Sequence, residues 1–123
     1  MSKLNELQAY LMEHQIDAAF ITTPDNVFYF SGFSSDPHER LLGIMVFKDA
    51  APFLICPKME MPDVVAAGWT HEVVGHEDTE NAWDVVAKTV ATRETAFTSL
   101  AIEKSHLTVE RFEAIQERYE NLT

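Results

Sequence analysis

The chain has 123 residues, enough to bury a core as one domain without disulfides or metal staples. Its 20 Asp and Glu against 9 Lys and Arg give a net charge of −11, which argues against a nucleic-acid partner because no basic patch can neutralise several phosphates. No apolar run approaches the roughly 20 residues needed to span a bilayer, and the first residues lack a secretion signal, so a cytoplasmic chain with no membrane partner is expected.

The elements follow in chain order. Leu4, Leu7 and Leu11 recur at helical spacing and predict an amphipathic helix that covers a sheet, with Ser2 placed as its cap. Ala18, Ala19, Phe20 and Ile21 form a continuous apolar run that suits a strand buried on both faces. Thr23 followed by Pro24 is a helix start, with a hydroxyl at the N-cap and proline at the first helical position. That helix must stop at Gly32, and Phe28, Tyr29 and Phe30 before it read as core packing.

Residues 41–47 predict a second buried strand, and residues 51–56 a partner that pairs with it as an antiparallel hairpin across Lys48, Asp49 and Ala50. Cys56, the single cysteine, excludes an internal disulfide and fits a reducing compartment; it reads as a buried, inert thiol. Met59 and Met61 read as gap-fillers. A helix over residues 63–67 stops at Gly68, and residues 69–74 suggest another strand. Asp78 or Thr79 is placed to cap a helix whose Trp83, Val86, Ala87 and Val90 share a face. Residues 96–102 form a further strand candidate. Thr108 then caps a last helix, with Leu107 and Phe112 set for a hydrophobic staple and Val109, Ile115 and Tyr119 along its apolar side. The order α-β-α-β-β-α-β-α-β-α with one hairpin implies an α/β fold: three α/β/α layers around a mixed sheet.

Chemistry-bearing patterns are few. His71-Glu72-Val73-Val74-Gly75-His76 has one residue too many for the zinc-peptidase pattern. On a helix its two histidines would point about 140° apart, and on a strand they would face opposite sides. It is rejected as a metal site. No glycine-rich phosphate loop and no nucleophile elbow occur, so no catalytic residue is assigned.

The anomalous stretch is Ser31-Gly32-Phe33-Ser34-Ser35-Asp36-Pro37-His38-Glu39-Arg40, between two apolar segments. Arg40 offers a planar fork for a carboxylate, His38 donates or accepts near neutral pH, and Asp36 or Glu39 can orient either one. Asp36, His38 and Glu39 make a poor metal cage, crowded into four residues around a proline. On residue physics alone a solvated loop whose charges pair with each other is the favoured reading over ligand binding.

A family resemblance shifts that balance. Ile21-Thr22-Thr23-Pro24-Asp25-Asn26-Val27-Phe28-Tyr29-Phe30-Ser31-Gly32-Phe33 resembles the N-terminal domain of the creatinase, prolidase and Xaa-Pro aminopeptidase family. Ser35-Asp36-Pro37-His38-Glu39-Arg40 is similar to bacterial Xaa-Pro dipeptidases, and Leu107-Thr108-Val109-Glu110-Arg111-Phe112 has the look of the family's last N-domain segment. The resemblance implies a ribonuclease-H-like domain over residues 1–123, followed in such enzymes by a pita-bread domain. That second domain binds two divalent metal ions (manganese, cobalt or zinc) through two Asp, one His and two Glu, none of which has a motif in this sequence. The implied function is the non-catalytic half of an Xaa-Pro dipeptidase, inactive alone, in a homodimer whose N-domain loop reaches the neighbouring active site. Asp36, His38, Glu39 and Arg40 would be that loop, in which Arg40 and His38 would hold the dipeptide's carboxyl end, with Phe33 lining the pocket or packing in the core. The alternative is a non-enzymatic protein-binding module of the same fold, for which the acidic charge suits a basic partner.

Overall fold

The structure, a computed structural model, describes residues 3–35, 40–95, 97–103 and 106–118. A five-stranded sheet in the order β4-β3-β2-β1-β5 forms the middle layer. Its strands are β1 (Ala18–Ile21), β2 (Gly43–Phe47), β3 (Phe53–Pro57), β4 (Glu72–His76) and β5 (Leu100–Ile102). β2 pairs antiparallel with both β1 and β3, whereas β1–β5 and β3–β4 are parallel, so the sheet is mixed as expected. The helices are α1 (Lys3–Glu13), α2 (Pro24–Ser31), α3 (Met61–Ala66), α4 (Ala82–Ala91) and α5 (Val109–Arg118), with a 3-10 turn at Lys58–Glu60.

The strand period of two sorts the core into two clusters. Ala19, Ile44, Val46, Leu54 and Cys56 face one side, where Leu4 and Leu11 of α1, Val27 of α2 and Val64 of α3 cover them. Phe20, Met45, Phe47, Phe53 and Ile55 face the other, where Val86 and Val90 of α4 cover them. Burial on both faces explains why β2 and β3 carry no polar alternation. Cys56 is fully buried, and burial, helped by the nearby Glu60 charge, pushes its thiol up to about 12.

Several boundaries differ from the sequence expectations, each for a visible reason. β2 starts at Gly43, because the Leu41 carbonyl is taken by a histidine side chain instead of the sheet ladder. β4 begins at Glu72: the buried Trp69 turns its indole N–H onto the Glu72 carbonyl (3.0 Å) and belongs to the turn after Gly68. β5 is only three residues long, because Asp17 engages Thr98 and Ser99 before pairing begins; Ala96 lies outside the described residues. Asn81 caps α4, accepting the Trp83 N–H at 2.9 Å, in place of Asp78 or Thr79.

Some packing expectations are corrected as well. Phe28 and Tyr29 are half exposed, since α2 turns only Val27 and Ser31 fully inward; of the three aromatics, Phe30 alone packs against the core. Met61 fills a gap in the core, but Met59 is exposed. On α5, Ile115 is buried, while Val109 and Phe112 stay largely in solvent. Thr108 does cap that helix through the Arg111 N–H (3.2 Å), and Ser2 and Tyr119 lie outside the described residues. Among the described residues no helix is long and apolar enough to cross a membrane.

Candidate recognition loop and groove

The anomalous stretch joins α2 to β2, and both of its stems are tied to the scaffold. On the entry side Gly32 takes a left-handed conformation (φ 79°) and donates to the Phe28 carbonyl at 2.8 Å. A Cβ at this position would also lie 2.9 Å from the Ala67 carbonyl oxygen, so glycine is required by space as well as by backbone angle. Ser31 Oγ donates to the Val27 carbonyl and accepts the Phe33 N–H. Phe33 is buried in the core cluster under α2 and α3. Ser35 Oγ donates to Glu60 Oε1 at 2.5 Å, fastening the stem to the turn before α3.

The exit side is held from the opposite wall. Arg40 pairs with Asp78 in the segment after β4 (Nη2 to Oδ2, 3.1 Å). Its carbonyl accepts from Arg111 Nη2 of α5 at 3.4 Å. The next carbonyl, Leu41, accepts from His76 Nε2 at 2.8 Å; because a carbonyl only accepts, Nε2 carries the proton. Burial lowers the Arg111 pKa from its usual value, and Glu110 partly restores it. Leu41 and Leu42 then enter the core.

Arg40 therefore sits, partly exposed, on the rim of an open groove of about 1080 Å³. Thr22, His76, Asp78, Trp83, His106 and Arg111 help to line it. Thr22 and His106 of its lining belong to a second polar cluster. Thr23 occupies the N-cap of α2, but its hydroxyl makes no capping bond. The carboxylate of Glu103, just past β5, instead gathers the entry to the helix: it accepts the backbone N–H groups of Thr22 and Thr23 and a side-chain amide N–H of Asn26. Burial pushes the Glu103 carboxyl upward, yet these donors outweigh it and hold it below the usual carboxylate value. Thr22 Oγ1 also meets His106 Nδ1 at 3.0 Å.

Of the five expected site residues, Arg40 lines the groove and Phe33 lies in the core; Asp36, His38 and Glu39 lie outside the described residues. His76 is buried and His71 exposed. Among the described residues no group of three or more His, Cys, Asp or Glu side chains could hold a metal ion. Sequence reasoning missed the anchors His76, Asp78 and Arg111, and the hold of Glu103 on the entry to α2. The polar end of β4 was the only signal for the first two.

Comparison with known proteins covers nearly the whole chain. The profile described as Creatinase/Prolidase N-terminal domain matches residues 3–123. The protein YkvY of Bacillus subtilis is 39% identical over 116 residues, which is 94% of this chain and 32% of its own length. An Xaa-Pro dipeptidase of Lactobacillus delbrueckii subsp. lactis is 36% identical over 116 residues, 94% of this chain and 32% of its own. The solved N-terminal domain of an Xaa-Pro dipeptidase from Lactobacillus brevis superposes with a TM-score of 0.94 at 34% identity, covering 99% of this chain and 91% of that one. The chain thus spans about a third of the length of the curated relatives it matches.

Proposed function

Because the chain belongs to the Creatinase/Prolidase N-terminal domain family, we propose that it is the non-catalytic N-terminal domain of a cytoplasmic Xaa-Pro dipeptidase. In this reading residues 1–123 support dimerisation and substrate recognition, and a pita-bread catalytic domain lies outside this chain. Relatives three times as long support the division. Metal-assisted attack on the bond before proline belongs to that other domain; this chain contributes binding and orientation.

The observation that carries the reading is the setting of Arg40. Its backbone is fixed by Arg111, the adjacent carbonyl is fixed by His76, and its guanidinium stays at the groove rim, 41% exposed. A fork held this way suits the carboxyl end of a dipeptide, delivered to the neighbouring subunit's active site together with Asp36, His38 and Glu39.

The experiment is kinetic. In the full-length protein, Arg40→Ala is expected to raise KM for an Xaa-Pro dipeptide by roughly 10- to 100-fold, the loss of one charge-assisted hydrogen bond. His38→Ala should act in the same direction. Unchanged constants for both would sink the assignment. The purified 123-residue chain is expected to leave the dipeptide intact, and chelator-sensitive hydrolysis by it would overturn the division of labour.

A further inference from the structure

We infer that Asp78 is a placeholder for the ligand carboxyl group: it occupies the Arg40 guanidinium until a substrate carboxylate displaces it. The inference rests on the reading of Arg40 as a recognition residue.

Three features of the exit stem carry it. First, backbone and side chain are held very differently. Arg111 and the buried His76 fix the carbonyls of Arg40 and Leu41, so the stem stays in place. Among the described residues the guanidinium is held through one Nη2 to Oδ2 contact of 3.1 Å. Its position can change without moving the chain.

Second, that contact is weak enough to exchange. The side chains are 41% and 65% exposed, and an ion pair so wet is screened by water and salt. It orients the fork without trapping it.

Third, Asp78 is the acid of its segment that faces Arg40. Glu77 pairs with Lys58 at 3.3 Å, and Glu80 accepts the Glu77 N–H at 2.9 Å. A second carboxylate arriving at the same guanidinium competes with Asp78 for one positive charge and is repelled by its negative one. Asp78 is therefore a positioning residue that sets how strongly Arg40 holds a carboxyl group.

The test is a double-mutant cycle in the full-length protein, using leucyl-proline and its C-terminal amide as substrates. Asp78→Asn keeps the shape and removes the charge at an exposed position, so the fold is expected to be unaffected; Asp78→Ser serves as a second variant. With the free acid, KM should fall about two- to fivefold, the size of an exposed ion pair, while kcat holds. The gain should be absent with the amide, absent in an Arg40→Ala background, and smaller in high salt. An unchanged or raised KM for both Asp78 variants, or an equal gain with the amide, overturns the placeholder. If Arg40→Ala itself leaves KM unchanged, the assignment of Arg40 falls, and the placeholder falls with it.

Discussion

Replacing Phe47 with alanine is expected to destabilise the chain by about 3–5 kcal/mol, the cost of emptying a large aromatic site in a packed core. Phe47 is the last residue of the central strand β2 and is fully buried. Its ring lies 6.1 Å from that of Phe53 and 6.3 Å from that of Phe97, so it joins the hairpin to the segment entering β5. Pairing with Ala18 of β1 and a hydrogen bond from Gln8 Nε2 to its carbonyl (3.0 Å) fix its backbone, which limits how far the site can collapse. A domain of this size has only about 5–15 kcal/mol of stability, so the variant should lie close to its unfolding threshold. Urea unfolding measures the loss. Phe28→Ala, at a half-exposed site of α2, is the control and should shift stability by no more than about 0.5 kcal/mol. A Phe47 variant that unfolds at the parent midpoint would contradict the assigned core.

Removing the Asp17 carboxylate should be nearly as damaging, at about 2–4 kcal/mol for Asp17→Ala. Asp17 is buried just before β1, and its carboxylate accepts the Thr98 N–H (2.7 Å) and hydroxyl (2.9 Å) and pairs with Lys48 (2.9 Å). Its own N–H goes to Ser99 Oγ, so one residue fastens the starts of two parallel strands. Lys48 still reaches water, which keeps the loss below that of a fully buried pair. The Thr98 N–H, then Lys48 and the Thr98 hydroxyl, outweigh burial and hold the Asp17 pKa at about 2, against an ordinary value of 3.8. A lowered carboxylate stabilises the fold above its unfolded-state pKa, and the contribution disappears as the pH falls through the folded value. The stability difference between parent and Asp17→Asn should thus be full at neutral pH and shrink as the pH drops from about 4 towards about 2. A difference independent of pH would remove the carboxylate from the account.

The sheet was legible where burial alone decides structure. Residues such as Ile44, Val46, Leu54 and Ile55 leave no polar position, and an unbroken apolar run of that length already announces a strand covered on both sides. Legibility failed where one side chain imitates another role. Trp69 looks like a strand residue but is a buried turn residue, because its indole N–H finds a local carbonyl. Thr23 looks like a self-sufficient cap, but its hydroxyl makes no capping bond and its own N–H is held by Glu103, 80 residues later. The candidate loop stood out because no core needs its charges, and the proposal of a recognition role for it came from the resemblance alone. Its anchors did not stand out: His76 meets the stem across 35 positions and Arg111 across 71, and no local pattern reports such pairings.

The burial of Cys56 has a practical consequence for work on the loop. A buried thiol held at about 12 near the end of β3 presents almost no thiolate at neutral pH, so maleimide and disulfide reagents should pass the native chain by. A cysteine introduced at the groove rim can therefore carry a fluorophore or spin label alone, with no need to replace the natural one. Cys56 itself then serves as a clock for opening of the sheet, since each labelling event there records a molecule that has unfolded.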